Sequence, residues 1–194
     1  MNNLGSISRA LEECGATVTV SDDPAHIEHA EKIVLPGVGS FAQAMGNLAK
    51  LGFVDPLYHA VINQKKPILG ICLGMQLLAS TGCEGGNNKG LGLIPGKVAR
   101  LDAQKNIRLP HMGWNDIDIH GDPVLFKNIP SGADFYFVHS YHVIPDEQKY
   151  ISAEVDYGQR FAVAVQHENI FGVQFHPEKS STLGFQVLKN FLVL

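Results

Sequence analysis

The chain has 194 residues, 45% of them apolar and 18% charged, enough for one domain over residues 1–194 with a sizeable core. A net charge of −4 without a basic block argues against a nucleic-acid surface, and no apolar run is long enough to span a membrane. The three cysteines, Cys14, Cys72 and Cys83, are odd in number and unpaired in spacing. With no leader-like opening, a reducing cytoplasm is the expected location. No His or Cys spacing suits a metal, so neither metal nor cofactor is expected.

The first element is a predicted helix with Leu4, Ile7, Ala10 and Leu11 on one face and Gly15 as its stop. A β-branched strand is predicted at 17–20. Asp23 then caps a helix opened by Pro24. A second strand over 32–35 ends in Pro36-Gly37-Val38-Gly39-Ser40, and helices follow near 41–50 and 54–64. Residues 68–71 read as a buried strand and 75–79 as a helix. This alternation predicts a doubly wound, flavodoxin-like, mostly parallel α/β sheet. Residues 80–96, rich in Gly and Asn, read as an exposed loop. Strands are expected at 97–101, 107–110, 114–119, 135–138, 151–155, 161–166 and 170–175, giving an antiparallel or mixed sheet on the flank. A helix over 182–193 closes the chain.

The junction at Gly70-Ile71-Cys72-Leu73-Gly74 is a thiol form of the nucleophile elbow. A sharp strand-to-helix turn aims the side chain out of the sheet, and the glycines permit close approach. The first amides of the helix then favour thiolate and oxyanion. A lone cysteine more often packs as a small hydrophobe; two glycines at a strand–helix boundary favour the nucleophile. A thiol needs a base. Residues 170–175 form an apolar run that delivers His176, and Pro177 biases it to extended backbone. Glu178, two residues on, falls on the same side and can orient the imidazole. His139 and His142 are rivals that lack a local acid. The amide of Leu73 is one oxyanion donor, and the Gly37-Val38-Gly39 turn could supply another, although a plain tight turn explains it equally. In open α/β sheets sites lie beyond the strand ends, so residues 36–40, 72–74 and 176–178 should meet.

Gly70-Ile71-Cys72-Leu73-Gly74-Met75-Gln76 with Phe175-His176-Pro177-Glu178 resembles the class I (triad) glutamine amidotransferases. Leu35-Pro36-Gly37-Val38-Gly39-Ser40-Phe41, Pro110-His111-Met112-Gly113-Trp114-Asn115 and the Lys179-Ser180-Ser181 that follows the triad are similar to the glutaminase subunits of imidazole glycerol phosphate synthase, over nearly the whole chain. The resemblance implies that Cys72 attacks the amide of L-glutamine, with His176 moving the protons and Glu178 orienting it. It implies that Val38 and Leu73 donate to the oxyanion, that Gln76 and Glu84 hold the head groups, and that Gly39, Ser140 and Tyr141 line the pocket. It further implies weak activity alone and docking on a (β/α)8 cyclase through Trp114, Asn115, Lys179 and Asn3. Ammonia would pass through that heterodimer to make imidazole glycerol phosphate and AICAR. Supply of ammonia to a sugar-modifying system, a free-standing γ-glutamyl cysteine hydrolase and an inactive binding subunit are the alternatives. The family pattern opens with an apolar strand and Gly-Asn-Leu, whereas this sequence starts at Met1-Asn2-Asn3-Leu4. The first strand is therefore expected to be missing and the protein to be poorly stable or prone to aggregate.

Overall fold

At the centre lies β2 (Ile68–Cys72), whose five residues are all buried. In the computed structural model, which describes residues 4–103 and 107–194, it pairs in parallel with β1 (Ile33–Gly37) on one side and β11 (Ile170–Val173) on the other. A strand covered on both faces reads as a continuous apolar run, which is why residues 68–71 were recognisable. Antiparallel strands extend the same sheet: β10 (Arg160–His167), β9 (Ile151–Asp156), β6 (His111–Ile119) and β7 (Ala133–His139). The expected α/β core with flanking antiparallel strands is thus present, with seven strands in one mixed sheet. β1 forms one edge, and among the described residues no strand pairs with its outer side.

Side chains alternate between the two faces with the period of a strand. Leu69, Ile71, Phe171 and Val173 join one apolar cluster, which the helices α1 (Leu4–Glu13) and α6 (Ser181–Leu192) cover with Ile7, Leu11, Val187 and Phe191. Ile68 and Ile170 join the other. There they meet α3 (Phe41–Lys50), α4 (Val54–Tyr58) with its π-helical turn His59–Asn63, and α5 (Leu73–Leu77). α1 ends as expected at Gly15, whose N–H donates to Glu12 O while that of Ala16 donates to Leu11 O, a Schellman stop. The short α2 (His26–His29) follows the turn that Asp23 stabilises by accepting the Ala25 N–H at 2.9 Å.

Several expectations need correction. Residues 17–20 form no strand; β-branched character makes a strand only where a neighbour completes the ladder. The helix after the elbow ends at Leu77, and the chain turns at once into β3 (Ala79–Gly82). The supposed loop at 80–96 therefore carries most of β3, all of β4 (Asn88–Lys89) and the start of β5 (Ile94–Arg100). Residues 107–110 form no strand, and Pro110 has no amide to give a ladder. β8 (Tyr141–Pro145), unforeseen, pairs with β5 and completes a second sheet in the order β4-β3-β5-β8. The chain changes sheets at Ser140, between β7 and β8, and the site lies at that junction.

Candidate active site

Gly74 and Gly70 make the elbow possible. A Cβ on Gly74 would drive into the Leu35 carbonyl of β1, and one on Gly70 would lie 2.7 Å from the backbone of Gly74 and Met75. Between them Cys72 sits at φ 55° and ψ −110°, outside the ordinary wells. Such a conformation costs on the order of 1–3 kcal/mol and persists only where packing over-determines it. The Cys72 thiol donates to Val138 O at 3.8 Å, and its sulfur accepts the Gln174 side-chain amide at 3.7 Å. Its interaction with the imidazole of His176 raises the pKa of that ring.

His176 lies three residues past the end of β11, as the N-cap of the 3₁₀ turn Pro177–Lys179 that carries Glu178. His176 Nδ1 lies 2.9 Å from Glu178 Oε1, with the two side chains 2% and 0% exposed. Burial pushes the imidazole pKa down, but interactions with Cys72 and Glu178 outweigh it and raise the value from 6.5 to about 9. The turn is clamped from outside the motif. Ser180 Oγ donates to His176 O at 2.7 Å and accepts the Tyr136 N–H at 3.0 Å, and the His176 N–H donates to Tyr136 O at 2.9 Å. Cys72, His176 and Glu178 are thus brought together.

A cleft of about 420 Å³ opens over the sulfur, lined by Val38, Gly39, Leu73, Gln76, Glu84, Ser140, Tyr141 and Lys179 among others. Every pocket residue expected from the sequence borders it. Gln76 is buried, not on the helix surface, and its amide donates to Tyr141 O at 2.9 Å and Gln174 Oε1 at 3.1 Å. Its carbonyl oxygen is what remains for a ligand. Glu84 Oε2 accepts the Phe41 N–H at 2.8 Å, tying the cleft floor to the start of α3. His139 and His142 are unsuited as bases, since burial pushes them down to about 3 and about 4. Trp114 is 54% exposed, edge-on to Tyr136, whose ring also faces the Lys179 ammonium at 5.8 Å. Asn3 lies outside the described residues. Gln174 was missed by sequence reasoning, although a polar residue inside an apolar run was a signal, and Ser180 was read only as part of the Lys179-Ser180-Ser181 pattern, without a role.

A buried thiol–imidazole–carboxylate set at a strand–helix elbow has the groups that cysteine hydrolase or acyl-transfer chemistry requires. The chain belongs to the class-I glutamine amidotransferase family, whose model matches residues 2–194. Within it, the chain is 51% identical over 191 residues to the imidazole glycerol phosphate synthase subunit HisH of Moorella thermoacetica, covering 98% of this chain and 90% of that one. It is 46% identical over 192 residues to a subunit HisH 1 of Campylobacter jejuni, covering 99% and 95%. Solved structures share the fold at lower identity. A glutamine amidotransferase matches with TM-score 0.77 at 17% identity, covering 99% of this chain and 93% of that one. PurLQS from Thermotoga maritima matches with TM-score 0.73 at 18%, covering 99% and 92%.

Proposed function

We propose that the protein hydrolyses L-glutamine in this cleft and passes the ammonia to a (β/α)8 cyclase, acting in the cytoplasm as the glutaminase half of an imidazole glycerol phosphate synthase. The reading rests above all on the meeting of sulfur, imidazole and carboxylate beneath one cleft. The names of its relatives favour the histidine pathway over a sugar-modifying system.

Proton transfer from Cys72 to His176 leaves a thiolate, which attacks the γ-amide carbon. The oxyanion takes hydrogen bonds from the amides of Leu73 and Val38. The His176 imidazolium, steadied by Glu178, gives its proton to the departing nitrogen, so ammonia leaves and a γ-glutamyl thioester remains. Neutral His176 then takes a proton from water, and the hydroxide attacks the thioester. Collapse releases glutamate and restores the thiolate–imidazolium pair. The Gln76 carbonyl and the Glu84 carboxylate suit the substrate α-ammonium. The exposed Trp114, with Asn115 and Lys179, suits a docking face that delivers ammonia into the partner's channel. Together the two subunits form the lyase that makes imidazole glycerol phosphate and AICAR.

The test is glutamate release by the purified chain with and without a (β/α)8 cyclase and the cyclase's ligand. Low release alone and a large rise in the complex are expected. High release that ignores the cyclase contradicts the docking half of the reading, and no release under any condition contradicts the glutaminase half.

A further inference from the structure

A line of polar side chains runs beside the cleft, and the reaction above does not use it. His111 of β6 and His139 of β7 are register partners, and His111 Nδ1 lies 2.9 Å from His139 Nε2. His139 Nδ1 lies 2.8 Å from Tyr141 O, and Asn115 Nδ2 lies 3.4 Å from His111 Nε2. Both rings are buried, at 1% and 6% exposure. The His111 ring is stacked between Phe137 and Tyr157, with centroids 4.6 and 4.2 Å away, which fixes its plane. Gly113 lies between His111 and Asn115 with φ +129°, and this left-handed bend in β6 is a conformation that favours glycine.

The direction of every link follows from its inner end. A carbonyl oxygen only accepts, so His139 Nδ1 carries a hydrogen. Burial keeps His139 neutral, with a pKa pushed down to about 3, so its Nε2 must accept. His111 Nδ1 therefore carries a hydrogen. His111 is neutral too, pushed down to about 4 by burial, so its Nε2 accepts from Asn115. The Asn115 amide is turned the right way for an independent reason: its Oδ1 accepts the Asp116 N–H at 3.1 Å. At the inner end, Tyr141 O also accepts from Gln76 Nε2 at 2.9 Å.

We propose that Asn115, His111 and His139 are positioning residues, a one-way hydrogen-bond relay that holds the Tyr141 carbonyl, and through it Gln76, in place for glutamine. The proposal rests on the glutamine reading of the cleft. Its outer end, Asn115, follows Trp114 in β6, so a partner that engages Asn115 acts on substrate binding through the relay. The relay sets KM, because it touches no reacting atom.

Two measurements on the full chain test it. In the uniformly ¹⁵N-histidine-labelled protein at neutral pH, two-bond ¹H–¹⁵N correlations should show His111 and His139 both as neutral Nδ1–H tautomers. The Nε2–H tautomer or an imidazolium at either residue overturns the relay. In the cyclase complex, His111→Leu should raise KM for glutamine roughly five- to tenfold with kcat within about twofold. His111→Asn, which keeps a donor near the Nδ1 position, should restore KM to within roughly threefold. An unchanged KM in His111→Leu, or a fall confined to kcat, contradicts the proposal. If the unsubstituted complex hydrolyses no glutamine, the function reading fails, and the tautomer measurement still decides the relay.

Discussion

The sulfur of Cys72 has three polar neighbours. The Val138 carbonyl accepts from the S–H, the Gln174 amide donates to the sulfur, and the imidazole of His176 is the third neighbour. Gln174→Leu keeps the volume of this fully buried side chain but removes its donor to sulfur. Alkylation of Cys72 by iodoacetamide at neutral pH should then slow roughly tenfold, since a hydrogen bond to a charged group contributes about 1.5–3 kcal/mol. An unchanged rate would show that the 3.7 Å contact is only packing. The raised pKa of His176 makes a stability prediction. A group bound more tightly to its proton in the folded state stabilises fully below its unfolded value of 6.5 and loses that contribution as pH climbs through about 9. Denaturant melts should therefore show stability falling between those limits, and the fall should be shallower in Glu178→Gln. Equal slopes would refute the coupling. Cys72, His176 and Glu178 were legible because each sits in a short contiguous motif whose backbone chemistry is local. Gln174 was not, because its role comes from β2 and α5 lying beside it, which neighbours in sequence do not reveal.

At the scale of elements, the triad depends on how closely α6 approaches the His176–Glu178 turn. A Cβ on Gly184 would drive into the Pro177 carbonyl, a rigid backbone atom. Gly184→Ala should therefore destabilise the protein by about 1–3 kcal/mol by overpacking. It should also reduce glutamine turnover by displacing His176, although residue 184 is not in the cleft lining. A lowered melting temperature with full activity would mean the clamp formed by Ser180 and Tyr136 holds the turn whatever α6 does. The parallel strands and α1, α3 and α6 were readable from apolar periodicity and from caps such as Gly15. The second sheet was not. β3 and β4 are short and rich in glycine and polar residues, and β8 carries Tyr141 and His142 where a buried strand usually carries aliphatics. β3 and β8 owe their strand character to pairing with β5, and β4 to pairing with β3, so propensity alone could not find them.

For the whole molecule, a cleft at the junction of the sheets is accompanied by an apolar face in which Met112 and Trp114 stand exposed on β6, the face proposed above for docking. Trp114→Ala should weaken cyclase binding by roughly 30-fold, the effect of a hot spot of about 2 kcal/mol. The melting temperature should stay nearly unchanged, because the ring is half in solvent. Titration of the variant with cyclase checks it, and unaltered affinity would move the docking face elsewhere. The division of labour between the subunits is tested most directly by Cys72→Ala in the assembled complex, assayed with glutamine and, separately, with ammonium salt as nitrogen source. Glutamine-dependent cyclisation should vanish while ammonia-dependent cyclisation continues at the unsubstituted rate. Glutamine-dependent turnover surviving the substitution, or both activities disappearing from an intact complex, would contradict it.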